Sequence, residues 1–164
     1  MSRTQLLFVA ALFCCAAFSN TGRPDFSGTW NLNNGKSAQD GPPDRVYVET
    51  IAQSPKNITV TTKAEGVTNV LDGTFPITEK FRIEKQGNAY RSTRVYWEGG
   101  TLVFELKDND SKKDDAKVLF YVRESWTLSP DGKVLTRFRR TLEGAKNAGD
   151  RPKLTDQKYV FDKQ

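Results

Sequence analysis

The sequence predicts an all-β fold, an antiparallel up-and-down β-barrel of about eight to ten strands, with a β-sandwich as the alternative packing. Three observations predict it. After residue 25, apolar and polar residues alternate at period two in run after run. Turn chemistry interrupts those runs at short, even intervals, as in Ser54-Pro55-Lys56-Asn57, Gln86-Gly87-Asn88, Gly99-Gly100 and Pro130-Asp131-Gly132. No stretch carries an apolar stripe at helical spacing over three turns.

The first run, 28–33, sets Gly28, Trp30 and Leu32 against Thr29, Asn31 and Asn33. Runs over 45–52, 58–64, 67–71, 79–85, 89–97, 101–107, 117–128, 133–142 and 157–162 follow it. Hairpin registers come from asking which loop length sets apolar residues opposite one another, because a one-residue slip reverses every face. A two-residue loop at Gly99-Gly100 aligns Trp97 with Leu102, Val95 with Phe104 and Thr93 with Leu106, and sets Arg94 opposite Glu105 outside. A three-residue loop at Gln86-Gly87-Asn88 opposes Phe81 to Thr93 and Ile83 to Arg91. A three-residue loop at Pro130-Asp131-Gly132 opposes Trp126 to Thr136 and Glu124 to Phe138. In these registers Arg91, Glu124 and Arg140 fall on the apolar face, while Arg123, Lys133, Arg137 and Arg139 form a basic stripe outside. Loops 107–117 and 143–153 gather at the end that holds Arg91 and Arg140, and so does 34–44 if 58–64 and 67–71 are separate strands; Trp30 and the tight turns gather at the other. That is the shape of a cup.

Composition narrows the chemistry. The chain has 164 residues, 25 Lys+Arg against 20 Asp+Glu, two cysteines and no histidine. Both cysteines, Cys14 and Cys15, lie before residue 20. Thiol nucleophiles, Ser-His pairs, imidazole metal sites and disulfides are therefore excluded from everything downstream. The opening segment explains that distribution. Met1 to Gln5 is a short basic region, Leu6 to Phe18 an apolar run too short to span a bilayer comfortably, and Ala17-Phe18-Ser19 a small-x-small cleavage site. We read 1–19 as a secretory signal and 20–164 as one barrel domain, soluble outside the cytoplasm. A lipoprotein signal acylated at Cys14 or Cys15 fits less well, because Phe13 or Cys14 stands where a small residue belongs.

Phe26-Ser27-Gly28-Thr29-Trp30-Asn31-Leu32 resembles the start of the first strand in the lipocalin and fatty-acid-binding-protein superfamily. The resemblance implies that Trp30 plugs the closed end of the barrel and that a small apolar ligand enters at the other. The wider spelling also resembles a group of bacterial secreted proteins of unassigned function. It runs from Pro24-Asp25 through Trp126-Thr127-Leu128-Ser129-Pro130-Asp131-Gly132-Lys133 to Val160-Phe161-Asp162-Lys163-Gln164. There are departures: 34–44 is too short and too rich in Gly and Pro for a helical lid, and no helix follows the last strand. The lipocalin arginine that stacks on the Trp has no counterpart in these registers, because Arg140 falls at the opposite end.

The expected function is non-catalytic binding of a small, largely apolar ligand, an amphiphilic anion among the candidates. Trp97, Phe104, Phe120, Trp126 and Phe138 would line the interior. Arg91 and Arg140 would meet a carboxylate or phosphate at the mouth, with Glu124 diagonal to Arg140. Glu124 is the one acid–base candidate, and an adjacent arginine would lower its pKa. No cofactor or metal is expected: in 107–117, Lys112 occupies a position where a calcium loop needs oxygen, and the central Gly and terminal Glu are missing. A monomer with no nucleic-acid partner and no stable membrane insertion completes the expectation. The alternative is a solid-cored module whose basic stripe or mouth loops meet another protein or the cell surface.

The processing expectation is testable directly. N-terminal sequencing of exported protein should find a chain beginning at Asn20 or within about three residues of it; a lipidated Cys14 or Cys15 would refute it.

Overall fold

The computed structural model describes residues 22–38, 46–64, 71–112, 117–144 and 151–164. The expected signal segment lies outside them, as does nearly all of the run expected over 67–71. Ten antiparallel strands form one sheet: β1 (Gly28–Leu32), β2 (Tyr47–Gln53), β3 (Asn57–Ala64), β4 (Gly73–Pro76), β5 (Thr78–Gln86), β6 (Ala89–Glu98), β7 (Thr101–Asn109), β8 (Val118–Leu128), β9 (Val134–Glu143) and β10 (Lys153–Lys163). Their order is β4-β3-β2-β1-β10-β9-β8-β7-β6-β5. Chain neighbours thus pair everywhere except at β4 and β5, and the β1–β10 ladder rolls the meander into a barrel. Closure is nearly complete. β4 and β5 end the sheet without pairing; Ile77 bridges instead to Val95, and the Phe75 ring meets Phe104 edge-on at 5.7 Å.

The closed end is where the first strand begins. Trp30 is fully buried, and its indole N–H donates to the Phe26 carbonyl at 2.8 Å. Phe26, Ile51, Leu102, Trp126, Leu135 and Phe161 pack around it as the core. The Lys163 ammonium lies 5.2 Å from the centre of the Trp30 ring, so the last strand supplies the cation that the sequence did not assign to this tryptophan. Gly28 explains its own place in Gly-x-Trp. Its φ is 137°, and a Cβ there would stand 2.7 Å from Lys163 Cε.

The β6–β7 register is the expected one, with Trp97 opposite Leu102, Val95 opposite Phe104 and Arg94 opposite Glu105. Two others differ by one residue. Between β8 and β9, Trp126 pairs with Arg137, Glu124 with Arg139 and Leu128 with Leu135. The loop is four residues, because Lys133 joins it. Gly132 N–H donates to the Ser129 carbonyl at 2.9 Å with Gly132 at φ 68°, and the Ser129 hydroxyl accepts from Val134 N–H at 2.9 Å. Phe138 and Arg140, expected inside, therefore face out, Phe138 at 41% exposure; Arg137, expected outside, is 1% exposed. Between β5 and β6 the loop is Gly87-Asn88 alone, with Gln86 opposite Ala89. Ile83 turns outward at 53% exposure, and Phe81 lies under the cations of Arg94 and Lys107 at 4.4 and 5.0 Å.

Gly28→Ala should lower the unfolding free energy by about 1–3 kcal/mol. Urea titration is the check, and most of the loss should persist in a Lys163→Ala background, since the φ strain does not depend on the lysine.

Candidate functional site

The ladders from β6 to β10 stack inward-facing residues into layers. At the loop-bearing end the layer runs Arg91, Asp108, Phe120, Glu143, Lys153. Beneath it lie Thr93, Leu106, Val122, Thr141, Thr155, and then Val95, Phe104, Glu124, Arg139, Gln157. The fourth layer is Trp97, Leu102, Trp126, Arg137, Tyr159. A cavity of about 480 Å³ occupies the space inside the first three, with Leu71 and Phe75 closing it from the β4 side. The fourth layer lies below it and belongs to the packed half of the barrel.

Charges form the floor. Glu124 is buried at the centre of β8, and both its oxygens are taken. Oε1 accepts from Trp126 Nε1 at 2.7 Å and from Arg137 Nε at 2.5 Å, and Oε2 accepts from Arg139 Nε at 2.5 Å. Arg137 reaches across the barrel to β2, where it donates to Glu49, whose Oε1 also accepts from the Tyr47 hydroxyl at 2.9 Å. The Arg137 guanidinium lies 4.6 Å from the Trp126 ring and 5.4 Å from that of Phe161. Two carboxylates and two guanidiniums thus form a neutral network inside the barrel. Burial by itself would raise the Glu124 pKa, but Arg137 and Arg139, with the indole N–H, hold it down from 4.5 to about 2. Burial pushes the Tyr47 phenol well above its ordinary range, so its hydroxyl stays a donor.

At the mouth, Arg91 is not the unengaged cation that the sequence suggested. It is forked onto Asp108, Nε at 2.8 Å from one oxygen and Nη2 at 2.7 Å from the other. Arg140 is bonded the same way to Asp156 on the outside, both contacts at 2.8 Å. Of the residues expected to line the interior, Arg91, Glu124, Phe104 and Phe120 do border the cavity. Trp126 is buried beneath it with its N–H on Glu124. Trp97 sits at the closed end, stacked on Phe26 at 6.0 Å and with the Arg23 guanidinium 5.5 Å from its ring centre. Phe138 and Arg140 take no part in the interior. Sequence reasoning missed Arg137, Arg139, Lys153 and Glu49. A signal for them existed: Tyr47, Glu49 and Ile51 alternate inward on β2, which puts one carboxylate inside and demands an inward cation opposite it.

No protein-family model and no curated protein matches the chain. Among solved structures, the fold is similar to a secretory abundant heat soluble protein from Ramazzottius varieornatus. The two share 14% identity and a TM-score of 0.54, over 88% of this chain and 98% of that one. Apo lipid binding protein 8 from Caenorhabditis elegans aligns at 14% identity and a TM-score of 0.49, over 85% and 95%. The first likeness shows a shared fold and is silent on ligands. No described helix is long and apolar enough to cross a membrane.

The network predicts a pH dependence with a definite sign. A folded pKa depressed below the unfolded one adds stability that is present above about pH 4.5 and lost as pH falls toward 2, on the order of 3 kcal/mol from Glu124. Glu124→Gln should therefore cost about 3–5 kcal/mol at pH 7, because it takes the carboxylate from Arg139 and leaves Arg137 with Glu49 alone. Its stability should fall less steeply than wild type between about pH 4.5 and 2. Urea titrations across that range distinguish the two slopes.

Proposed function

We propose that this protein binds a small, largely apolar ligand inside the barrel without transforming it, and that it does so outside the cytoplasm after cleavage behind Ser19. One observation carries the reading: a cavity of about 480 Å³ inside the barrel, bordered by Phe75, Val95, Phe104, Phe120, Leu106 and Val122 along its apolar walls and by charged and polar side chains at its mouth and floor. That volume is within the range of small-molecule sites, and a solid-cored module has no use for it. Glu124 supports the non-catalytic side, because both oxygens are bonded to cations and its lowered pKa leaves no proton to donate near neutrality.

The anionic head group rests on a different residue from the ones the sequence suggested. Among the described residues bordering the cavity, Arg91, Arg94 and Arg139 are each engaged by a carboxylate. Lys153 has no ion-pair partner within that set, although Glu143 stands opposite it in the ladder. We assign the anion contact to Lys153 at the mouth, with the apolar body of the ligand below it.

Two measurements test this. A fluorescent fatty acid should bind wild type and lose at least about tenfold in affinity to Val122→Trp, which fills the cavity from the middle layer; equal binding by both proteins, with unchanged thermal unfolding, would remove the ligand from the barrel. A fatty acid should bind about two- to fivefold better than its alcohol, as suits a solvent-screened contact. Lys153→Ala should abolish that ratio and Arg91→Ala should not.

A further inference from the structure

β5 is the long end of the sheet. On its far side no strand is described, and the preceding strand β4 packs toward β6 instead. Seven of its nine residues are exposed, on both faces, with only Thr78 and Phe81 half-buried. Such an edge presents a row of unpaired backbone donors and acceptors. Natural edges usually block self-pairing with like charges or proline. Here Glu79-Lys80-Phe81-Arg82-Ile83-Glu84-Lys85 has no proline and mixes charges of both signs.

We infer that β5 pairs antiparallel with β5 of a second copy of this chain, with Ile83 on the two-fold axis. The two-residue loop closes on the Gln86–Ala89 pair, whose backbone groups bond across to β6. By alternation Glu84 and Arg82 do the same, and the N–H and C=O of Ile83 and Lys85 point to the open edge. In the Ile83-centred register the groups of Ile83 meet those of Ile83 in the second copy, and the groups of Lys85 meet those of its Phe81. Side chains match on both faces. Ile83 stands opposite Ile83 and Lys85 opposite Phe81 on the outer face; Arg82 stands opposite Glu84, twice, on the inner face. Within one copy Arg82 and Glu84 already form an exposed contact at 2.5 Å, so the pairing exchanges one solvated ion pair in each copy for two across the axis. Ile83, exposed without a function in the monomer that the sequence suggested, becomes the apolar centre of the joint.

Sedimentation velocity over a broad concentration series tests the pairing. Wild type should shift to a dimer as concentration rises. Ile83→Pro should remain monomeric with an unchanged circular-dichroism spectrum, because the lost N–H faces away from β6. Glu84→Arg should also be monomeric, by setting like charges opposite Arg82, and adding Arg82→Glu to it should restore the dimer. A wild type that sediments as a monomer throughout would overturn the inference. So would a dimer that survives both single variants, a charge reversal that fails to rescue, or a dimer dissolved by Leu154→Asp on the outer face of β10.

Discussion

The salt-bridge chain Glu49–Arg137–Glu124–Arg139 decides how this barrel is put together. It joins β2 to β8 and β9 through the interior, where each charge is costly to desolvate and is tolerated only with its partners in place. A slip of β9 by one residue would turn both arginines to solvent and leave two carboxylates alone in the core. Apolar patterning favours that slip, because Val134, Phe138 and Leu142 would move inside. The penalty for two stranded carboxylates, several kcal/mol each, outweighs the gain from burying more of one phenylalanine and two aliphatic side chains, at about 1.5–3 kcal/mol apiece when burial is complete. The outer positions of those residues are already partly covered, so the gain is smaller still.

The same chain divides the interior. Below it the barrel is filled by Trp30, Trp126, Phe26, Phe161 and Leu135, with the Arg137 guanidinium over the rings of Trp126 and Phe161. Above it the next layer is built from threonine, valine and leucine, too small to meet across the barrel, and a cavity remains between it and the charged layer at the mouth. The change from aromatic to small side chains at one layer, more than any lid, sets where space begins.

Much of this was legible. Period-two alternation found nearly every strand, and Gly-x-Trp marked the closed end. The Gly99-Gly100 hairpin was readable because Val95, Trp97, Leu102 and Phe104 share a buried face on both strands. Register reading failed in two places for opposite reasons. β9 has a core face made of charges, which a rule that buries apolar residues cannot see. β5 has no core face at all, since its inner side opens onto the gap beside β4, so nothing rewards Ile83 for turning in and the loop alone sets the register. The Ser129 hydroxyl and Asp131 carboxylate, which cap the β8–β9 turn, were the local sign that Lys133 belongs to the loop.

Saturation of the floor also constrains how a ligand can lie, on the proposed reading of the cavity. A ligand carboxylate that reached Arg139 would have to displace Glu124 Oε2, leaving a fully buried carboxylate short of one cation. The exchange replaces one charge-assisted bond by another of the same kind and adds the desolvation of the incoming head group, so it is unfavourable. At the mouth the balance differs. Lys153 and Glu143 are exposed, and a head group arriving there keeps part of its hydration. The polar end therefore stays at the layer of Arg91, Asp108, Glu143 and Lys153. The apolar end points down past Leu106 and Val122 toward Phe104, whose ring rests on Trp126 at 4.6 Å and Phe75 at 5.7 Å. The buried ions act on recognition by exclusion: they deny the floor to charge and so fix the ligand's direction.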